Sequence, residues 1–157
     1  DVDHVSGLRD VSEAKNLLVS RPELEAASRL KNRIRYWPDL WKGLPLQPFD
    51  FSDTGIGPFG KSYDLFDDGS VQLVDIAGHT QGLCGMLVSK GGKYVLMFAD
   101  GGYSSRSWQE MILPGPYSDK PDLRRSLEWI REMSISDSCL ASWATHDPNL
   151  TPQIIVL

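Results

Sequence analysis

The chain contains only three histidines, and each lies in a tight turn or at the end of a strand-like segment. His4 follows Asp3 in Asp-Val-Asp-His at residues 1–4, His79 lies in Ala-Gly-His-Thr-Gln-Gly, and His146 lies in Thr-His-Asp-Pro. One such histidine is most often a surface or hydrogen-bonded loop residue. Three histidines in equivalent places favour their convergence on one edge of a sheet. Open α/β sheets bind ligands at such an edge. Their nitrogens and neighbouring carboxylates suit a borderline divalent metal such as zinc.

Asp100 adds a further carboxylate to this set. It follows Val-Leu-Met-Phe-Ala at residues 95–99, a run so apolar that it predicts a strand buried on both faces. An acid at the end of such a strand is costly to bury unless a positive group meets it, and a metal ion would be one. The alternative is a carboxylate that caps the turn before Ser104 or Ser105.

The elements that must position these residues differ between residues 11–52 and residues 61–157. Residues 11–19 predict a short helix followed by a short strand, and Ser-Arg-Pro-Glu at 20–23 predicts the start of a helix. Apolar residues at three- and four-residue spacing extend that helix to about Tyr36. Residues 37–48, with Trp37 and Trp41, are irregular and form either a packed connector or a lid over a substrate pocket, and 49–52 predict a strand.

Strand patterns dominate from residue 61 to residue 100. Asp-Asp-Gly-Ser at 67–70 joins strands at 63–66 and 71–76, and Lys-Gly-Gly at 90–92 joins strands at 83–89 and 93–98. A helical stripe over 118–133 follows, with Asp119 or Ser118 as its cap. Residues 140–145 predict a strand that ends at His146, and the apolar residues 153–157 predict a last strand.

Composition excludes several classes of function. The chain has 157 residues, 41% of them hydrophobic, and a net charge of −5, so nucleic acid and anionic membranes are not expected partners. No apolar stretch approaches the roughly 20 residues that span a bilayer. Cys84 and Cys139 are expected to be thiols of a cytoplasmic protein.

Four motifs in this order resemble the metallo-β-lactamase fold superfamily, and in particular its lactonase-like hydrolase branch, which includes the N-acyl homoserine lactonases. They are Asp-His-Val-Ser-Gly-Leu, Ala-Gly-His-Thr-Gln-Gly, Phe-Ala-Asp-Gly-Gly-Tyr and Thr-His-Asp-Pro. The spacing is similar too, since Asp100 follows His79 by 21 residues and precedes His146 by 46. The resemblance implies an α/β (α+β) four-layer αββα sandwich.

The resemblance also implies a set of metal ligands. In the family's opening motif, His-x-His-x-Asp-His, Asp3 and His4 match the last two positions, and Asp1 stands where the second histidine is expected. His79 matches a ligand of the first metal, and Asp100 matches the acid that bridges both metals. His146 matches the last ligand of the second metal. Tyr103 matches a tyrosine that contacts the substrate carbonyl oxygen.

Two departures from this pattern affect the first metal site. Asp1 replaces one histidine, and the other would lie before residue 1. A carboxylate is tolerable there, since the diiron flavoprotein branch uses Glu, but it favours iron or manganese over zinc. The second site, with Asp3, His4, Asp100 and His146, is complete. The expected cofactor is zinc, up to two ions, with iron or manganese as alternatives.

The resemblance further implies that residues 1–157 are the C-terminal portion of a single domain whose N-terminal portion is absent. An inner sheet face would then be bare, and we expect an N-terminal segment or a second copy of the chain to cover it.

The reaction that the resemblance implies is hydrolysis of an ester, lactone or related acyl bond in a small substrate by a metal-bound hydroxide. Asp3 would orient the nucleophile and carry a proton, and Tyr103 would stabilise the oxyanion. Trp108 and residues 37–41 are candidates for an acyl pocket or for packing. Alternatives are a glyoxalase II-like thioesterase, a phosphodiesterase, and a pseudoenzyme that acts as a metal-binding interaction module. A flavodiiron-like oxidoreductase would need a flavin module that the sequence does not resemble.

Overall fold

A computed structural model describes all residues, 1–157, and divides them into two compact units, Asp1–Asp50 and Phe51–Leu157. None of the helices is both long enough and apolar enough to cross a membrane.

The first unit is built around two parallel strands, β1 (Leu17–Ser20) and β2 (Leu46–Phe49). Parallel neighbours require a crossover, and α2 (Arg21–Ser28) with α3 (Arg33–Tyr36) provides it. The core of this unit is small: Ala26, Ala27 and Tyr36 are buried, and Trp41 packs against them. The remaining helix, α1 (Val2–Val5), is a single turn that the sequence patterns did not predict.

The prediction of one helix up to Tyr36 is wrong. Backbone φ and ψ at Arg29 are −76° and 131°, which is extended chain, and a 3₁₀ turn at Leu30–Asn32 separates α2 from α3. The side-chain amide of Asn32 donates to the carbonyl of Ala26 (2.8 Å) and thereby satisfies a group at the end of α2. Leu30 and Ile34, which gave the helical period, are 79% and 90% exposed.

The second unit contains a six-stranded sheet and two helices. The sheet order is β3-β4-β5-β6-β7-β8, antiparallel throughout except for the parallel pair β7–β8. The strands are β3 (Ser52–Asp53), β4 (Lys61–Asp64), β5 (Val71–Asp75), β6 (Cys84–Lys90), β7 (Lys93–Met97) and β8 (Cys139–Trp143). The helices are α4 (Ser105–Gln109) and α5 (Lys120–Ser134). Both predicted hairpins and the long helix are confirmed.

Helix α5 packs its apolar stripe against one face of this sheet. Leu123, Leu127 and Ile130 are fully buried, and Asp119 caps the helix by accepting from the N–H of Asp122 (2.9 Å). The predicted burial of β7 is confirmed, since Val95 and Leu96 are both buried. The joint core contains strand residues, the residues that directly follow β5, β7 and β8, and one helix residue: Val74, Ile76, Leu87, Leu96, Phe98, Ile130 and Ala144.

The opposite face of the sheet is apolar but only partly buried. One row runs across five strands in register, from Tyr63 through Leu73, Met86 and Met97 to Trp143. Each of these residues is neither fully buried nor fully exposed.

Two further sequence predictions concern the chain's end and its sulfur atoms. The predicted strand at 153–157 is wrong: those residues pair with no strand, and Ile154 is 94% exposed. Apolar residues form a strand only where a sheet edge offers them a partner. Cys84 and Cys139 carry no disulfide, as expected.

Candidate metal centre

Three strands bring the predicted chemistry to one edge of the sheet. Since β5 and β7 each run antiparallel to β6, and β8 runs parallel to β7, the strands β5, β7 and β8 point the same way. Their C-terminal ends therefore lie at the same edge. His79 follows β5, Asp100 follows β7, and His146 follows β8.

At this edge the carboxylate of Asp100 lies between two imidazoles. Its Oδ2 is 3.3 Å from Nε2 of His79, and its Oδ1 is 3.3 Å from Nε2 of His146. Asp100 and His79 are almost completely buried, whereas the His146 side chain is 40% exposed. The predicted convergence of these three residues is confirmed, while their role as metal ligands stays a prediction.

The spacing of these atoms fits a divalent metal. Zinc bonds to histidine nitrogen and carboxylate oxygen at about 2.0–2.2 Å, and two ligands of a tetrahedral ion are then roughly 3.3–3.6 Å apart. Both nitrogen–oxygen distances agree with that separation. A buried carboxylate also needs positive charge nearby, and metal ions bound together with the two imidazoles would supply it.

The backbone around Asp100 is shaped for this placement. Ala99 has a φ of +44°, an unusual value for a residue with a side chain, and a 3₁₀ turn spans Ala99–Gly101. Gly101 follows, and a Cβ there would lie 2.6 Å from the Cδ1 atom of Ile130. The small residue lets the turn approach the core closely.

Tyr103 lies beside both histidines. Its ring meets that of His146 edge-on, with centroids 5.4 Å apart, and that of His79 at 6.0 Å. Its hydroxyl donates to the carbonyl of Gly115, and its N–H donates to Oγ of Ser107 (3.0 Å). The tyrosine predicted to contact substrate is therefore at the cluster.

Sequence reasoning missed Asp147, which links the loop after β8 to the first residue of α4. Its carboxylate accepts from the N–H of Ser105 (2.9 Å) and from the N–H of Asn149 (3.0 Å). These hydrogen bonds hold the pKa of Asp147 below its usual value. Asp-Pro-Asn directly after His146 is typical of an Asx turn, and that signal could have identified Asp147.

The three predicted ligands of the first unit lie in or beside α1. Asp1 caps this helix by accepting from the N–H of Val2 (2.9 Å), and its Oδ2 is 2.9 Å from Nη2 of Arg35. Nε2 of His4 is 3.6 Å from Oδ2 of Asp3. A metal bound by Asp1 would have to share that carboxylate with the guanidinium of Arg35.

Two of the three tryptophans considered for an acyl pocket, Trp41 and Trp108, have packing contacts. Trp41 donates from Nε1 to the carbonyl of Tyr36 (2.9 Å), and Trp108 packs against the core of the second unit. Trp37 is 55% exposed.

An apolar cavity of about 360 Å³ opens in the second unit beside the ligand-bearing segments. Ala99 and Thr145, the neighbours of Asp100 and His146, line it together with Cys84, Met86, Met97, Trp143, Ala144 and Leu150.

The fold of the chain is similar to that of hydrolases of known structure. A structure of an N-acyl homoserine lactone hydrolase, with product bound at its catalytic metal centre, has a TM-score of 0.63 at 18% identity. The match covers 89% of this chain and 51% of that one. The hydrolase AbOPH, of the beta-lactamase superfamily, has a TM-score of 0.54 at 10% identity, covering 82% and 47%. The α/β fold expected from the sequence is confirmed.

Relatives found by sequence are more similar to the chain than these structures are. The chain is 27% identical over 137 residues to the N-acyl homoserine lactonase AttM of Rhizobium radiobacter, covering 83% of this chain and 49% of the relative. It is 27% identical over 155 residues to the AttM lactonase of Rhizobium johnstonii, covering 94% and 55%. No family model matches. The resemblance to the lactonase-like branch is thus confirmed, and the chain spans about half the length of the curated relatives it matches.

Proposed function

We propose that this chain carries the metal centre of a hydrolase that cleaves an ester, lactone or related acyl bond in a small substrate. The observation that carries the proposal is the buried carboxylate of Asp100 between Nε2 of His79 and Nε2 of His146. The names of the sequence relatives, all N-acyl homoserine lactonases, support the class of bond.

In this proposal His79, Asp100 and His146 hold metal, with Asp3 and His4 completing the second site and Asp1 contributing to the first. Zinc suits these nitrogen and oxygen donors, and iron or manganese would suit a carboxylate-rich first site. When bound, the metal supplies Lewis-acid activation of water and of the substrate carbonyl.

The chain's own residues would then guide the reaction. The hydroxyl of Tyr103 would turn from the carbonyl of Gly115 and donate to the oxygen that becomes negative as the acyl bond is attacked. Asp3 would accept a proton from the attacking water and pass it to the leaving group.

The decisive variant is Asp100→Ala, which removes the carboxylate between the two histidines. We expect it to lose bound metal and lactone or ester turnover together. Asp137→Ala is the matched control, because Asp137 is an exposed acid that precedes β8, at the opposite edge of the sheet. Turnover that survives in Asp100→Ala, or that disappears equally in Asp137→Ala, would refute the proposal.

A thioester or phosphodiester substrate would use the same residues, and a substrate panel distinguishes these from carboxylic esters. A metal-binding module without activity is a second candidate, favoured by the Asp1–Arg35 contact. It predicts metal binding without turnover of any substrate in the panel.

We also propose that residues 1–157 form the C-terminal part of one domain in a cytoplasmic protein, and that a preceding segment or a second copy covers the apolar row from Tyr63 to Trp143. These residues are only partly buried, and an apolar face of a sheet is normally packed against another element. Light scattering on the purified chain tests this, and a stable, monodisperse monomer would contradict it.

A further inference from the structure

The loop that carries His79 is held by the N-terminal half of α5. Oγ of Ser126 donates to the carbonyl of Ala77 (2.7 Å). The N–H of Ser118 donates to the carbonyls of Gly78 (2.9 Å) and His79 (3.0 Å), and the N–H of Asp119 donates to that of Gly78 (3.0 Å). Three consecutive carbonyls, at residues 77–79, are therefore bound by α5 and the two residues before it.

Ser126 is the one side chain among these donors, and its surroundings explain why its hydrogen bond matters. It is fully buried and lies between Leu123 and Leu127 on the apolar face of the helix. A buried hydroxyl costs free energy unless it is hydrogen-bonded, and its loss would leave the Ala77 carbonyl without this donor. Ser126 is the only polar residue of α5 whose side chain is fully buried.

The helix that carries Ser126 is itself fixed to the sheet. Leu123, Leu127 and Ile130 are fully buried, and Ile130 belongs to the same core as Val74 of β5 and Leu96 of β7. A hydrogen bond from this helix therefore restrains the loop at residues 77–79. It thereby restrains the imidazole of His79, whose Nε2 lies 3.3 Å from Oδ2 of Asp100.

We propose that Ser126 is a positioning residue for His79. Its hydroxyl sets the path of the chain at Ala77, two residues before the histidine, and so sets the distance between His79 and Asp100. The relevance of this distance to catalysis rests on the proposed function, but the positioning itself does not.

The test compares Ser126→Ala with Ser62→Ala in the full chain. Ser62 is a matched control because it is also fully buried and donates to Oε1 of Gln72 (2.8 Å), but it lies on β4, away from the loop. Amide hydrogen exchange of the metal-free proteins gives the first readout. The informative amides are those of Gly78, which donates to the carbonyl of Thr80, and of Ser118 and Asp119.

We expect Ser126→Ala to speed exchange at these three amides by roughly tenfold beyond its effect on the slowest-exchanging core amides. Ser62→Ala should not single them out. Ser126→Cys, with a weaker donor of similar size, should give a smaller effect and serves if the alanine variant does not fold. Equal exchange patterns in the Ser126 and Ser62 variants would overturn the proposal.

Zinc affinity, measured by competition with a chelator, gives the second readout. We expect Ser126→Ala to weaken binding by about 10- to 100-fold, as loss of groups that orient ligands commonly does, and Ser62→Ala to change it little. Unchanged affinity in Ser126→Ala would overturn the role of Ser126 at the metal centre. If the wild-type chain binds no zinc, the proposed function fails, and the exchange data still decide whether Ser126 positions the loop.

Discussion

Gly78, directly before His79, is the position where we expect one added methyl group to do most damage. Its φ is +135°, and a Cβ there would lie 2.2 Å from the backbone nitrogen of Leu123 and 2.3 Å from its Cα. If the clashing atoms belonged to a flexible side chain, that side chain could rotate away. They belong to the backbone of Leu123 in a packed helix, which cannot move in this way. Gly78→Ala must therefore separate the loop from α5.

The cost can be worked out from the contacts that separation would break. A residue with a side chain in a positive-φ conformation costs about 1–3 kcal/mol. Separation would also weaken the bonds from Ser118 and Asp119 to the Gly78 carbonyl and from Ser126 to Ala77, each worth about 0.5–1.5 kcal/mol. We therefore expect the free energy of unfolding to fall by roughly 3–7 kcal/mol, against a total of about 5–15 kcal/mol for a typical domain.

Urea denaturation followed by circular dichroism measures this change, with Gly91→Ala as the control. Gly91 also has a positive φ, +58°, but a Cβ there meets nothing within 4 Å. Its substitution should cost only the backbone part, about 1–2 kcal/mol. The reasoning is refuted if Gly78→Ala loses no more stability than Gly91→Ala.

Three further outcomes follow from the same region. Ala99→Gly should raise the free energy of unfolding by up to about 1 kcal/mol, because it relieves a φ of +44°; a loss in thermal denaturation would contradict this. Ser107→Ala should cost about 1–2 kcal/mol, since the buried Oγ accepts from the N–H of Tyr103, and unchanged stability would count against that bond. Burial raises the pKa of Asp75, so its contribution to stability is full below the unfolded pKa of about 3.9 and is lost as pH rises through the raised folded value. Asp75→Asn should therefore remove this loss in the free energy of unfolding as pH rises through the acidic range. An unaltered dependence of stability on pH would be evidence against burial of Asp75 as its cause.

The central part of the fold was predictable because its signals are local. Turn residues at 67–70 and 90–92 defined both hairpins, and the stripe of Leu123, Leu127 and Ile130 defined α5. Where the patterns failed, the apolar residues had nothing to pack against. Leu30 and Ile34 have helical spacing and remain exposed, and residues 153–157 have strand composition without a strand partner.

The candidate site was predictable in part for a related reason. A histidine or acid directly after a strand can be read from the sequence, so the convergence of His79, Asp100 and His146 was expected. The role of Ser126 depends on a contact between segments 49 residues apart, and no local pattern encodes it. The Asx turn at Asp147 can be read from the sequence, but its contact with Ser105, 42 residues away, cannot.

The most direct test of the central claim is the number of zinc ions bound per chain, measured by equilibrium dialysis and elemental analysis. Two ions are predicted for wild type if both proposed sites are filled, and one if only the second site is competent, with none in Asp100→Ala. A wild-type chain that binds no metal, or an Asp100→Ala variant that binds as much as wild type, would contradict the account.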